Sequence, residues 1–297
     1  MPDGTAAPIS HKAVDDAQKT LGVVTCLSGS SSGSLLQMKE KTQKWLATLT
    51  AGQLHRQLMW FSVDWQLWPS VKYGLCCSMA TLPELDTALL PFYNKMLPLG
   101  GVVRKANRGI RQLDRGFFGA EFPHPGAEPT VEQANKLLMQ YGCHTALGDE
   151  LQTLLELLVV DLGLLFQPFR VSYKHYGDWV TTCWLKQVWE KVDHYGFVLT
   201  VHNLLLSFPR EGDDWLMARL IAAGYKGGDL LTLNRVRKHQ QVLFLSDILG
   251  ASGGSLDKRY LEVRQIGEQW SSIKVPCEEV NASEMGIWRR ATAQVVE

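Results

Sequence analysis

The stretch LGVVTCLSGSSSGSLLQMKEKTQKWLATL, residues 21–49, runs from a β-prone apolar segment through a loop of small residues into a helical pattern. How that loop is read decides the fold class. Gly29, Ser31 and Gly33 spell G-x-S-x-G at the strand-to-helix turn, where an α/β-hydrolase presents its nucleophile. Such a nucleophile needs earlier parallel strands, later β/α alternation to carry an acid and a histidine, and a donor loop for the oxyanion. The surrounding sequence offers none of these, and SGSSSGS matches the pattern simply because it is nearly all Gly and Ser. A P-loop is equally unsupported, since the Gly-Lys-Ser/Thr ending is missing. Ser31 is therefore expected in a turn leading into a helix capped near Ser32 or Ser34, and no residue is assigned a catalytic role.

Working outward, Leu35, Met38, Trp45 and Leu49 recur near helical spacing, with Lys39, Lys41 and Lys44 elsewhere on the surface. LHRQLMWFSVDWQLW continues the pattern until Pro69, and VKYGLCCSM then reads as extended or loosely helical. In TLPELDTALLPFYNKML, Thr81 suits an N-cap and Pro83 and Glu84 a first turn, while Pro98 and Gly100 end the helix. GAEFPHPGAEPT (119–130) reads as a loop, with His124 exposed between prolines. Helical patterns return at VEQANKLLMQYG, DELQTLLELLVVDLGLLF, TTCWLKQVWEKVDHY, DDWLMARLIAAGY and DLLTLNRVRKHQQVLFLSDIL, and in a last short helix near 285–295. Strand character is concentrated near residues 20–27 and 197–203, so the expected fold is mainly α with a few short strands.

With 297 residues and 45% hydrophobic content, the chain can bury real cores. Its 30 basic and 30 acidic residues balance, so a polyanion partner must be held by local clustering of charge. Six cysteines without C-x-x-C spacing are too dilute for a disulfide scaffold, which fits a reducing intracellular setting. The first residues lack the apolar segment of a signal peptide. The greasiest run, LLELLVVDLGLLF, is too short to cross a bilayer and is broken by Glu156 and Asp161, so no membrane partner is expected. Histidines lack H-x-x-x-H spacing, and the pairs Asp15–Asp16 and Asp213–Asp214 diverge on either a strand or a helix. No metal site is assigned, and Asp213 and Asp214 are read as acids at a helix N-terminus.

The most informative local feature is RKANRGIRQLDRG, residues 104–116. Wound as one helix, Arg104, Arg108, Arg111 and Arg115 fall at offsets 0, 4, 7 and 11 on one face, with Lys105 beside them and Asp114 opposing. Such a stripe either tracks a phosphate backbone, releasing a counterion at each contact, or is a solvated face paired with acids elsewhere. Gly109 weakens the helical premise. A second cluster, NRVRKH (234–239), is read as flanking a packed helix. Tryptophans could stack on unpaired bases, but Trp60, Trp65, Trp68, Trp184 and Trp189 lie in apolar helical segments and are expected in the core.

Together the segments resemble the portion of a reverse transcriptase that follows the catalytic aspartates, in non-LTR-like mobile elements of diatoms and related protists. DDAQKTLGVVTCLSG resembles the family's "KTLGV" strand pair, LLQMKEKTQKW its first thumb helix, and PSVKYGLCCSMATLPEL the "P-S-x-x-Y-x-L" pattern. LLPFYNKMLPLGGVVRKANRGI resembles the "f-L-P-x-x-G…R" block, with Asn107-Arg108 where the family has Pro-Arg. REGDDWLMARLIAAGY, LLTLNRVRKHQQVLFLSDILGASGG and IKVPCEEVNASEMGIWRRA resemble its later blocks, Val275 standing where a tryptophan is usual.

The resemblance implies a primer-grip-like segment over 1–33, a thumb-like helical domain over 34–166 and a second helical region over 167–297. It places Leu21 and Gly22 by a primer 3′ end, with RNA/DNA template-primer and an absent palm domain as partners. The palm's aromatic-x-Asp-Asp turn, which would hold Mg in the intact polymerase, is missing: A-V-D-D at 13–16 stands too close to Leu21-Gly22. The expected function is therefore the nucleic-acid-holding part of a truncated polymerase, without cofactor or catalytic centre of its own. Arg104, Lys105, Arg108, Arg111 and Arg115 are its expected backbone contacts, on charge spacing alone. A stand-alone helical protein-interaction module and a relic are the alternatives.

Overall fold

The computed structural model describes residues 13, 16–20, 23–26, 28–52, 54–200, 213–251, 253–263 and 278–296. Helices dominate these residues, and the protein is mainly α. Strands are confined, among the described residues, to the antiparallel pair β1 (Gln18–Thr20) and β2 (Val23–Thr25), with Lys19 opposite Val24. The β-prone residues 197–200 adopt no regular structure, and 201–203 lie outside the described residues. No helix is long and apolar enough to cross a membrane among the described residues.

Contacts divide the chain into two units, Met1–Gln133 and Ala134–Glu297. In the first, α1 (Ser32–Gly52) buries Met38, Thr42, Leu46 and Leu49, which recur on one helical face. Next, α2 (Arg56–Ser62) and α3 (Trp68–Leu75) are joined by a π-helical stretch, Val63–Leu67. The expected break at Pro69 does not occur, and the π turn explains why. Trp68 N–H donates to the Val63 carbonyl five residues back, widening the helix before proline, which has no N–H to donate and a ring that needs room. The fourth helix, α4 (Leu82–Leu99), contributes Leu85, Ala88, Leu89, Phe92, Tyr93, Met96 and Leu97 to the core, and Phe92 meets Trp45 of α1 at 6.0 Å between ring centroids. The β1–β2 pair packs into this unit rather than forming a separate segment: a Cβ on Gly33 would lie 2.8 Å from Val24 Cγ1. After α5 (Arg108–Gln112), α6 (Ala127–Gln140) begins. Buried Gln133 donates from Nε2 to the Cys76 and Ser78 carbonyls beyond the end of α3.

The second unit is built on α7 (Ala146–Leu162), the single-turn α8 (Tyr173–Tyr176) and α9 (Trp184–His194), followed by α10 (Leu216–Ala222), α11 (Gly227–Gln240) and α12 (Ala282–Val296). Leu151, Leu155, Leu158 and Leu162 of α7 share one core with Leu185, Val188 and Trp189 of α9, Leu233 of α11 and Trp288 of α12. That shared core moves the unit boundary from the expected 166/167 to 133/134, because α7 buries its apolar stripe with the later helices. Both central indoles are satisfied: Trp189 Nε1 donates to the Val171 carbonyl at 2.9 Å and Trp288 Nε1 to the Tyr260 carbonyl at 2.8 Å.

Candidate nucleic-acid interface

In the first unit, α4 ends in a Schellman turn: Val102 N–H donates to the Leu97 carbonyl at 2.8 Å and Gly101 N–H to the Pro98 carbonyl at 3.0 Å. The turn requires φ +75° at Gly101, a conformation glycine adopts without a Cβ clash. The same two glycines let side chains of α2 lie directly on the backbone. A Cβ on Gly100 would sit 2.7 Å from Trp60 Cζ2, and one on Gly101 would sit 2.5 Å from Arg56 Cζ. Trp60 Nε1 also donates to the Gly100 carbonyl at 3.2 Å, which fixes the half-buried indole. The Arg56 guanidinium thereby lies at the carbonyl end of α4, where the helix dipole favours a cation.

The chain then enters the segment expected to be one basic helix. That helix does not form. Arg104 and Lys105 are exposed in a turn, and Asn107 starts the five-residue α5 by accepting the Gly109 N–H on Oδ1 at 2.9 Å. Leu113 is extended and ends α5, and Arg115 begins a separate 3-10 turn, Arg115–Phe117. An asparagine cap and a glycine break the 3.6-residue period that the stripe needs. Arg111 turns inward: its Nε donates to the Ala106 carbonyl at 2.9 Å and its guanidinium lies 6.0 Å from the centroid of the Tyr93 ring. The backbones of Arg108 and Arg115 are placed, while their side chains lie outside the described set, as do Leu21, Gly22 and Asp15.

Beyond α5 the chain closes into a tightly bonded loop. Gly119 N–H and Phe117 N–H both donate to the Asp114 carbonyl at 3.0 Å, and Ala120, Glu121 and Phe122 N–H donate back to Ile110, Leu113 and Arg111. Phe122 anchors it, buried in ring contacts with Trp60, Phe92 and Tyr93. Gly119 has no alternative, because a Cβ there would collide with the Leu113 carbonyl oxygen. At the tip, Phe117 is exposed and Phe118 is 97% exposed in the left-handed region at φ 63°. A cleft of about 610 Å³ is lined by His55, Arg56 and Trp60 together with Ile110, Phe118 and Gly119. Arg56 and Phe118 are not singled out by the sequence reading, and Trp60, expected in the core, is half-buried and lines the cleft; their signals are the Gly100-Gly101 pair after a helical run and two adjacent phenylalanines between glycines.

Other candidates resolve into structure. Ser31 Oγ donates to Glu84 Oε2 at 3.3 Å, joining the turn before α1 to the start of α4. Asp213 and Asp214 do not cap α10, whose N-cap is Trp215. Asp213 instead accepts the Ser246 hydroxyl, and Asp214 pairs with Arg219 at 2.9 Å. His124 is half-buried, its Nδ1 accepting the Gly126 and Ala127 N–H groups at 3.2 and 3.1 Å to start α6. Trp65, expected in the core, is exposed and stacks on Phe61 at 5.6 Å. In NRVRKH, Arg237 is fully buried and donates to the Val160, Asp161 and Val242 carbonyls and to Asn234 Oδ1. Burial pulls its guanidinium down to about 10, against the opposing pull of the Asp161 carboxylate. Lys238 beside it donates to the Trp179 carbonyl at 2.9 Å, and burial likewise lowers its ammonium. This network fastens the end of α7 and is read as architecture.

Comparison with protein-family models, curated proteins and solved structures finds no match for the chain.

Proposed function

We propose that this chain is the template/primer-holding part of a mobile-element reverse transcriptase, and that its first unit contacts nucleic acid along residues 101–121 and Arg56. One observation carries the reading: Arg56 lines one cleft with a hydrogen-bonded loop that presents two phenylalanines to solvent, and the exposed Arg104 and Lys105 follow two cleft residues, Gly101 and Val102, in sequence. Cations neutralise phosphates, and exposed aromatic faces stack on bases. The chain-wide charge balance makes this local cluster the source of any affinity. On this reading the polymerase chemistry, with its Mg, is that of a palm domain to which the chain would be a partner; a reading frame that continues upstream into an aromatic-x-Asp-Asp motif would support it, and stop codons there would count against it.

The test is fluorescence anisotropy with a labelled RNA/DNA duplex across a salt series. Replacing Arg56, Arg104 and Lys105 by alanine should weaken binding to all sequences alike and flatten the salt dependence, by about 0.9 in log–log slope for each phosphate no longer neutralised. Unchanged affinity and slope in that variant sink the assignment. A second reading rests on a different surface: Leu58, Phe61 and Trp65 recur at helical spacing and are each more than half exposed, as suits a face that docks another protein. Purified chain that ignores duplexes at low salt yet takes up one partner in fixed stoichiometry, with loss on Trp65→Ser, would favour it.

A further inference from the structure

The exposed loop tip does something the basic residues cannot. Phe118 is almost entirely solvent-exposed, so its ring contributes little to the core, yet its backbone occupies the left-handed region that costs a non-glycine residue energy. The neighbouring positions hold it there. Gly119 leaves no room for a Cβ, Glu121 shares a positive φ of 51°, and hydrogen bonds from Phe117, Gly119, Ala120, Glu121 and Phe122 close the loop on either side. A bulky apolar ring is thus held in the lining of a cleft that also contains Trp60, whose indole is fixed by its bond to the Gly100 carbonyl.

From this arrangement we propose that the cleft lined by Arg56, Trp60 and Phe118 receives one unpaired nucleobase, so that the chain binds where a single strand leaves a duplex. The inference rests on the nucleic-acid reading above and specifies its ligand. The cleft volume of about 610 Å³ lies in the range of roughly 300–1,000 Å³ usual for ligand sites and accommodates a purine ring. Its lining suits a base: an exposed aromatic ring stacks on any base without reading its edge, and a guanidinium adds a cation to the adjacent phosphate or to the base's π face. The basic turn at Arg104 and Lys105, close in sequence to the cleft wall at Gly101 and Val102, is then available for the paired strand's backbone. A duplex alone, with every base stacked, has nothing to place in the cleft. A base already unpaired enters without the cost of unstacking.

The experiment uses the full chain and three probes: a blunt RNA/DNA duplex, the same duplex with a four-nucleotide overhang carrying 2-aminopurine at its first unpaired position, and vesicles of phosphatidylserine and phosphatidylcholine. The overhang should bind at least about tenfold more tightly than the blunt duplex, in line with stacking of one base, and 2-aminopurine fluorescence should change on binding. Phe118→Ser should abolish the preference, bringing overhang affinity down to that of the blunt duplex, and Phe118→Trp should restore it. Phe118→Gly, which relieves the left-handed strain, should raise the melting temperature while also losing the preference, so a folding defect cannot account for the loss. Equal affinity for both duplexes with silent 2-aminopurine overturns the base site and leaves the nucleic-acid reading standing. Failure to bind either duplex overturns both. Vesicle binding without duplex binding also overturns both, and assigns Phe117 and Phe118 to a lipid surface.

Discussion

At the scale of single residues, composition tells where a side chain prefers to be, but its neighbours decide what it does. Tyr173 illustrates this. Its ring lies on Gly177, where a Cβ would come within 2.5 Å of Cζ, and meets Trp189 edge-on at 5.3 Å. Burial, assisted by the nearby Glu190 and Asp178 carboxylates, pushes its phenol up from 10.0 to about 12. Between those values the unfolded chain has lost the proton that the folded chain still holds. The unfolded state then binds fewer protons, so the stabilisation present below pH 10 is lost as pH rises toward 12. Tyr173→Phe removes this contribution, and urea midpoints compared at about pH 9 and about pH 11 should fall less for the variant than for the parent. Parallel losses would show that Tyr173 ionises alike in both states. Neither Tyr173 nor His124 is legible in sequence, since a lone ring between polar residues carries no signal of the glycine or helix start it will touch.

At the scale of elements, legibility follows local chemistry. The start of α4 is readable because capping is a short-range pattern: Glu84 Oε2 accepts from Thr81 N–H at 2.8 Å and from the Thr81 hydroxyl at 3.0 Å, three residues apart in sequence. The third donor to that carboxylate, Ser31, is 53 residues away and carries no such signal. Glu84→Ala removes all three acceptor contacts and should cost about 1–2 kcal/mol in chemical denaturation, while Glu84→Gln, which keeps an acceptor oxygen, should recover part of the loss. An alanine variant as stable as the parent would mean that water replaces the carboxylate. The basic stripe fails for the opposite reason. Its spacing over residues 104–115 presupposes a helix, whereas Asn107 and Gly109 are themselves cap and breaker and confine α5 to five residues. Pro69 misleads in the other direction, because a π turn that no local pattern announces carries the helix through it.

At the scale of the whole molecule, the mainly α class follows from periodicity, but the partition does not, because cores are made by contacts distant in sequence. Arg237 shows how much of the second unit depends on such contacts. It lies on α11, and its guanidinium reaches back to carbonyls at the end of α7, 76 and 77 residues earlier, while Gly163 in the left-handed region leaves space for it. Arg237→Met keeps the apolar stem but strands the Val160, Asp161 and Val242 carbonyls and Asn234 Oδ1 without this donor, at a cost of about 4 kcal/mol. The residues proposed to hold nucleic acid all belong to the other unit. The variant should therefore melt earlier in the signal of the second unit, read by limited proteolysis within α7 and α11, yet bind the RNA/DNA duplex with parental affinity at temperatures where α1 and α4 stay protected. Binding that disappears in step with cleavage of α7 would mean that the grip on nucleic acid requires the second unit, and the basic turn with its phenylalanine loop would then be only part of the interface.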